Sequence, residues 1–495
     1  MAGGEMKAIL LLALVLGAGS DAFALSEKAI YARCYSQLTG AVVPFTDSIY
    51  KDVVAGKISG VDACKNLLHL ADMDASGNLK TSDLRSIQIV NNFYQFHRTW
   101  FPTATKEQIT GYRAEFESNT DKFIDLSEPA LHLTHNLFAG DSYRNVLSGS
   151  SRLEGKRVND PAMKAGSISY LNADGSIVSP GMQTAPYMFM QGKGAIKSIG
   201  ESTASMMLQN YAIPGLGRTA VANGNAVMAG AVTGVDFYAN QGGGILGTRA
   251  FFLLNSGHPQ GQIFDGALKV PRKWSKTAME SMLCLTLPSL READVRQYVD
   301  TASVAPFRQA SSCIRCHASM DQAAYTARNL VVSLTVDVIN GNGVPLNTKS
   351  IMVGKFNPTV ASVSGWPSQT VTDFQKQQPS GVLMFRSNAD GQLIKQNVSG
   401  IEGLGKAMAE TNDFYQCAAK RYFEYFTGIS VSLYDRTDPA NAALNKSATT
   451  REATDRRFIE DLGQQLRADQ SLQKLIENII SSPYYRSANF SDTGK

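Results

Sequence analysis

Residues 313 to 317 read CIRCH, two cysteines three positions apart with a histidine directly after the second. This run constrains the chain more than any other, because two thiols and an imidazole have to be presented together, which a helix does within about one turn. In C-x-x-C-H the thiols can bond the vinyl carbons along one porphyrin edge while the imidazole ligates the iron, the layout of a covalent c-type haem. The alternatives ask for more. A structural zinc site needs about four ligands, and no second C-x-x-C and no H-x-x-x-H occur. A thioredoxin-like pair wants a strand before it, whereas ASSCIRCHASMDQAAYTARNL carries a helical pattern. A small disulfide loop between Cys313 and Cys316 is the remaining reading.

With His317 as the proximal ligand, a second axial ligand has to come from elsewhere. Met320 follows three residues later on the same helical face, so it cannot reach the far side of the iron and reads as a core side chain beside the porphyrin. The distal candidates are Met352, Met384 and Met408 downstream and His258 in NSGHPQGQ. The chain has 16 methionines, most of which serve to fill gaps in cores, so spacing alone does not choose among them. Haem propionates want cationic partners, for which Arg272, Arg308 and Arg315 are candidates.

The N-terminus agrees with attachment outside the cytoplasm. MKAILLLALVLGAGSDAFALSE has Lys7, an apolar run from Ala8 to Leu16 and a small-x-small ending at Ala22, Phe23 and Ala24. That is the three-part layout of a secretory signal peptide, with cleavage after Ala24. The run is shorter than the ~20 residues that span a bilayer, and we expect a periplasmic or secreted chain with no membrane span once mature. Cysteines pair in an oxidising compartment. Beyond the motif stand Cys34, Cys64, Cys284 and Cys417; of their three possible connectivities we expect Cys34 with Cys64 and Cys284 with Cys417, with buried free thiols as the alternative. A formal charge of +4 on 495 residues, with no basic run, argues against a nucleic-acid partner.

The expected fold class is mainly α: a multi-domain helical protein with short β-hairpins and a cytochrome c-like haem-binding helical domain. Behind the leader at 1–24, residues 25–146 read as an N-terminal helical domain. There SEKAIYARCYSQL, GVDACKNLLHLA, TSDLRSIQIVNNFYQFHRTWF and TKEQITGYRAEFESNTDKFIDL repeat apolar residues at three- and four-residue steps. Residues 147–287 read as a Gly/Ala-rich mixture of helix and loop, with a hairpin at ISYLNADGSIVS and a helix over RKWSKTAMESMLCLTL that stops before Pro288. Residues 288–495 hold the haem-binding region and a C-terminal helical domain. They carry a strand at LVVSLTVDVI, a hairpin near VLMFRSNADGQLIKQ, a helix over GKAMAETNDFYQCAAKRYFEYFTG ending at Gly428, and another at SLQKLIENIISSPYY.

In this order along the chain, GILGTRAFFLLNSGHPQ, VPRKWSKTAMESMLCLTLP, FRQASSCIRCHASMD, AETNDFYQCAAKRYFEYFTG and LIENIISSPYYR resemble the secreted planctomycete-type cytochrome proteins. The resemblance covers residues 130 to 487. It implies several domains around one C-x-x-C-H, with Cys313, Cys316 and His317 as the haem site, and it assigns no further chemistry. The chain departs from that pattern just after the motif, where MDQAA lacks the Pro-Leu-Gly that often follows Met-Asp.

Lesser signals stand beside the motif. DMDASGNLKTSD sets Asp72, Asp74, Ser76 and Asp83 at the spacing of an EF-hand calcium loop, with Gly77 at its turn. Lys80 at the ninth place and the short Asp83 at the last favour the other reading, a polar interhelical turn whose aspartates cap the next helix. HLTH places His132 and His135 near one helix face, as core or surface histidines or as metal ligands. PGLGRTA lacks the strand and acidic partner of a dinucleotide loop, and no G-x-S-x-G element occurs. The expected function is therefore an exported mono-haem c-type cytochrome that transfers electrons to or from a redox partner protein. The alternatives are a haem-dependent oxidase or peroxidase acting on a small-molecule substrate, and a binding or assembly protein with a structural haem.

Overall fold

The computed structural model describes residues 24–74, 77–102, 112–114, 128–155, 196–199, 206–207, 219–222, 225–228, 235–237, 240–255, 269–339, 349–356 and 376–487. Helices dominate these residues. Glu27–Thr39 (α1) buries Ile30, Tyr31, Cys34, Tyr35 and Leu38, apolar groups at three- and four-residue steps, and ends at Gly40 with φ 72°. Ser48–Val54 (α2) and Gly60–His69 (α3) follow; the Ser59 hydroxyl accepts from the Asp62 amide to cap α3. A Cβ on Gly60 would lie 2.2 Å from the Glu27 carbonyl oxygen, so only glycine lets α3 start against α1. Leu84–Arg98 (α4) is capped by the Asp83 carboxylate on the Arg85 amide.

These helices share their core with the far end of the chain. Asn412–Thr427 (α5), Thr450–Asp469 (α6) and Leu472–Ser481 (α7) pack on one another, and one apolar cluster runs from Ile30 to Tyr485. Polar bonds pin the seam. Asn92 Nδ2 donates to the Gln37 carbonyl at 2.6 Å, Gln37 Nε2 to the Phe426 carbonyl at 2.9 Å, and Tyr485 OH to Gln37 Oε1 at 2.8 Å. His97, fully buried, lies 2.8 Å from Thr134 Oγ1 and 2.7 Å from Tyr422 OH. Thr134 donates its own proton to the Ala130 carbonyl, so His97 Nδ1 donates to Thr134 and Nε2 accepts from Tyr422. The expected segments 25–146 and 288–495 thus contribute to one continuous core, because each helix carries one apolar face and finds its partner across the sequence.

The β-structure goes beyond short hairpins. Leu330–Ile339 and Lys349–Phe356 pair antiparallel inside a seven-stranded sheet, and Tyr112–Ala114 adds parallel to the second of them. LVVSLTVDVI is a strand as its alternation indicates. Tyr112–Ala114 lies in a segment whose periodicity reads as helix; the open edge of a neighbouring strand overrides so weak a local preference. The hairpin expected near VLMFRSNADGQLIKQ is present, with Ser380–Arg386 paired to Leu393–Ser399. The hairpin expected at ISYLNADGSIVS lies outside the described residues. GKAMAETNDFYQCAAKRYFEYFTG is two helices, Gly400–Ala409 and α5, because Thr411 takes the N-cap position of the second; Gly428 closes α5 at φ 71°.

Cys284 and Cys417 form a disulfide. Cys34 and Cys64 do not: both are buried free thiols, close enough that Cys34 hydrogen-bonds Cys64, and burial pushes the Cys64 thiol well up. The expected Cys34–Cys64 bond is therefore replaced by two unbonded neighbours within the α1 and α3 packing. Among the described residues no helix is long and apolar enough to cross a membrane. The segment 1–24, expected to be a leader, lies outside them apart from Ala24.

Candidate functional site

The C-x-x-C-H run opens the helix Ser311–Ala324 (α8). Its N-cap position is Ala310, which offers no side-chain cap, so the helix is held by packing. Lys269–Leu283 (α9) lies against it and is anchored by Trp274, fully buried, stacked on Phe252 at 5.6 Å, with its indole N–H donating to the Leu246 carbonyl at 2.9 Å. The Ser275 hydroxyl donates to the Met320 carbonyl at 2.8 Å and fixes α9 against α8. On another side, Ser380–Arg386 (β1) packs on α8 so closely that a Cβ on Gly381 would fall 1.9 Å from the Gln322 carbonyl oxygen. Leu393–Ser399 (β2) completes the hairpin.

A third wall comes from the segment before α8. Arg386 reaches Asp294 with both arms, at 2.9 and 2.6 Å; burial alone raises the Asp294 carboxyl, but this pairing outweighs it and holds it below the usual range. Arg291 bonds Asp435 through Nε at 2.9 Å, and Arg315 Nε donates to the Leu290 carbonyl at 2.7 Å. Between these walls lies a cleft of about 320 Å³. Ile314, Ala318, Phe307, Val382 and Met384 make it apolar; His317 and Asp321 reach it from α8, and Arg308, Lys395, Tyr298 and Asp300 also line it. Lys395 Nζ donates to Tyr298 OH at 2.9 Å. Volume and lining fall in the range of small-molecule pockets, apolar with a few placed polar groups.

His317 is restrained in this cleft. Its Nδ1 lies 3.1 Å from Asp321 Oδ2, one turn on along α8, and the Phe307 ring stacks on its face at 4.2 Å and 26°. A carboxylate at this place accepts, which sets the proton on Nδ1 and, in the neutral ring, leaves Nε2 with the lone pair a metal needs. Cys313 is exposed and Cys316 half-buried, and both are free thiols, so the small disulfide loop is not formed. Burial raises the Cys316 thiol, opposed by Arg315.

The structure sorts the distal candidates. Met384 is 2% exposed and lines the cleft with His317. Met408 is buried in the main core. Met352 lies in the strand Lys349–Phe356, and His258 lies outside the described residues. Met320 is not among the side chains lining the cleft. Of the propionate candidates, Arg308 lines the cleft, Arg315 is turned to Leu290, and Arg272 is bound to Asp321. Lys395 is a cation that spacing did not reveal, since only the hairpin brings it there. Asp321 had a signal in the sequence, its four-residue step from His317.

The residues of the expected calcium loop are otherwise engaged. Asp83 holds Arg85, Asp74 accepts from the Asn78 amide at 2.8 Å, Asp72 accepts from Gln473 Nε2 and faces His69, and Ser76 lies outside the described residues. Asp83 caps the next helix, as the polar-turn reading has it. His132 and His135 are buried on Glu128–Ala139, away from the cleft lining. His135 Nδ1 meets Asp141 at 3.2 Å and holds that carboxyl low. Among the described residues no three His, Cys, Asp or Glu side chains cluster as a metal site.

Comparison with known proteins finds no matching family model, no matching curated protein and no matching solved structure.

Proposed function

We propose that this chain is an exported mono-haem c-type cytochrome, with haem c held by Cys313, Cys316 and His317 in the cleft beside α8. One observation carries the reading: a C-x-x-C-H helix aims its histidine into an apolar cleft that a buried methionine, Met384, also lines. The donor set fits the group. Two unbonded thiols lie four and one residues before His317 on α8, outside the cleft lining itself; the apolar walls suit a porphyrin, and Arg308 and Lys395 supply positive charge for propionates. The likeness to the secreted planctomycete-type cytochrome proteins points the same way.

Haem in such a setting exchanges one electron reversibly. The chain's own residues would set the conditions for that exchange. His317 from α8 and Met384 from β1 would hold the iron. Ile314, Ala318, Val382 and Phe307 would keep water away, which steers the potential through burial. The remaining length, with its large shared core, would present surface to a redox partner.

The test is the visible spectrum, pyridine haemochrome and intact mass of protein matured in a host with working haem-ligation machinery. One covalent haem is expected, with the absorption of methionine-ligated ferric iron. Met384→Ala should abolish that band and Met408→Ala should leave it. Colourless protein at the bare polypeptide mass refutes the haem reading. A coloured protein indifferent to Met384→Ala refutes the ligand assignment.

A further inference from the structure

We infer that Asp321, clamped by Arg272, is the positioning residue of His317, and that this pair sets the electron affinity of the site. The inference rests on the haem reading above and deepens it. Asp321 is 8% exposed and sits one turn beyond His317 on α8. Its Oδ1 accepts from Arg272 Nε at 2.7 Å, and its Oδ2 is shared between Arg272 Nη2 at 2.9 Å and His317 Nδ1 at 3.1 Å. Arg272 comes from α9, whose position is fixed by Trp274 and by the Ser275 bond to Met320. The guanidinium also lies 5.6 Å from the centre of the Phe307 ring that covers the imidazole face. One residue network therefore holds the ring both in its plane and on its face.

A charged acceptor on Nδ1 does more than orient. It pushes electron density into the ring, strengthens Nε2 as a donor and favours the more oxidised metal, as outer-shell carboxylates on ligating histidines do. Arg272 moderates this, because a carboxylate that accepts two charge-assisted bonds from a guanidinium has less to give the imidazole. The two residues thus pull in opposite directions. Removing the carboxylate charge raises the midpoint potential; removing the guanidinium lowers it. A charge pair that merely ties α8 to α9 gives the same opposition of sign through space, so the proton position on His317 is what separates positioning from it.

The experiment is spectroelectrochemical titration of the wild type, Asp321→Asn and Arg272→Gln, with thermal midpoints to confirm folding and Asp321→Glu and Arg272→Lys as conservative partners. Asp321→Asn is expected to raise the midpoint by about tenfold in the redox equilibrium, about 59 mV for one electron. Arg272→Gln is expected to lower it, and the conservative variants to fall closer to wild type. Shifts of the same sign, or none, overturn the inference. A second readout does not depend on haem: nitrogen NMR of the histidine-labelled polypeptide, in which His317 is expected to carry its proton on Nδ1 and to lose that preference in Asp321→Ala. Colourless wild type sinks the haem reading, while an Nδ1 proton unmoved by Asp321→Ala sinks the role of Asp321.

Discussion

Replacing His97 with glutamine should flatten the acid limb of the stability curve. Full burial pushes the His97 imidazole from the usual 6.5 down to about 3. The folded value is the lower one, so the unfolded chain takes up the proton first. Stability from the neutral ring is complete above the unfolded value and is lost as pH falls between the two. The whole gap, about 3.5 at about 1.36 kcal/mol per pH unit, amounts to about 5 kcal/mol. At pH 5 the unfolded imidazole is almost wholly protonated and the folded one almost not, and the loss relative to pH 7 is about 2 kcal/mol. Urea unfolding reports this through Trp100, whose ring centre lies 5.7 Å from that of His97. His97→Gln should be less stable at pH 7, since one amide cannot serve both Thr134 and Tyr422. Its deficit should shrink by about 2 kcal/mol at pH 5, because it carries nothing to protonate there while other groups cancel between the two proteins. Parallel pH curves for the two proteins would show that His97 is not held neutral in the fold.

Two further expectations concern the frame around the cleft. The Cys284–Cys417 disulfide closes a separation of 133 residues that contains the C-x-x-C-H helix, and a double alanine replacement should cost about 2–5 kcal/mol in urea unfolding; a loss under about 1 kcal/mol would mean that the unfolded chain is already confined without the cross-link. Burial lifts the Asp413 carboxyl to about 6 in spite of the bond from the Asn388 amide. Its folded value lies above the unfolded one, so ionised Asp413 costs stability above about pH 6 and nothing below about pH 4. Asp413→Asn should raise the thermal midpoint at pH 8, equivalent to about 1–3 kcal/mol, keep about half of that gain at pH 5 and lose most of it by about pH 4.

How far the sequence could be read depended on whether a feature is local. The C-x-x-C-H helix, the Leu330–Ile339 strand and the hairpin turning near Gly391 were legible, since spacing, alternation and turn chemistry act within a few residues. Asp321 was equally legible from its four-residue step to His317. Arg272, Phe307 and Lys395 were not, because each reaches the cleft through a different element whose docking no local pattern encodes. Helical periodicity showed that α3 and α4 each have an apolar face, but it could not say that α7 packs on the first and α5 on the second. Tyr112–Ala114 was misread because a short segment with bulky residues at three-residue steps also suits an edge strand.

The seam between α1, α4 and the last third of the chain has a bearing on the order of events in synthesis. Gln37 waits for Phe426 and Tyr485, and Asn92 for Tyr425. A growing chain that has passed residue 317 but not reached α5 lacks the partners that bury its first helices. Contacts so far apart form late. Cys313 and Cys316 therefore emerge into a chain still open, with both thiols within reach of whatever chemistry modifies them before the two ends meet.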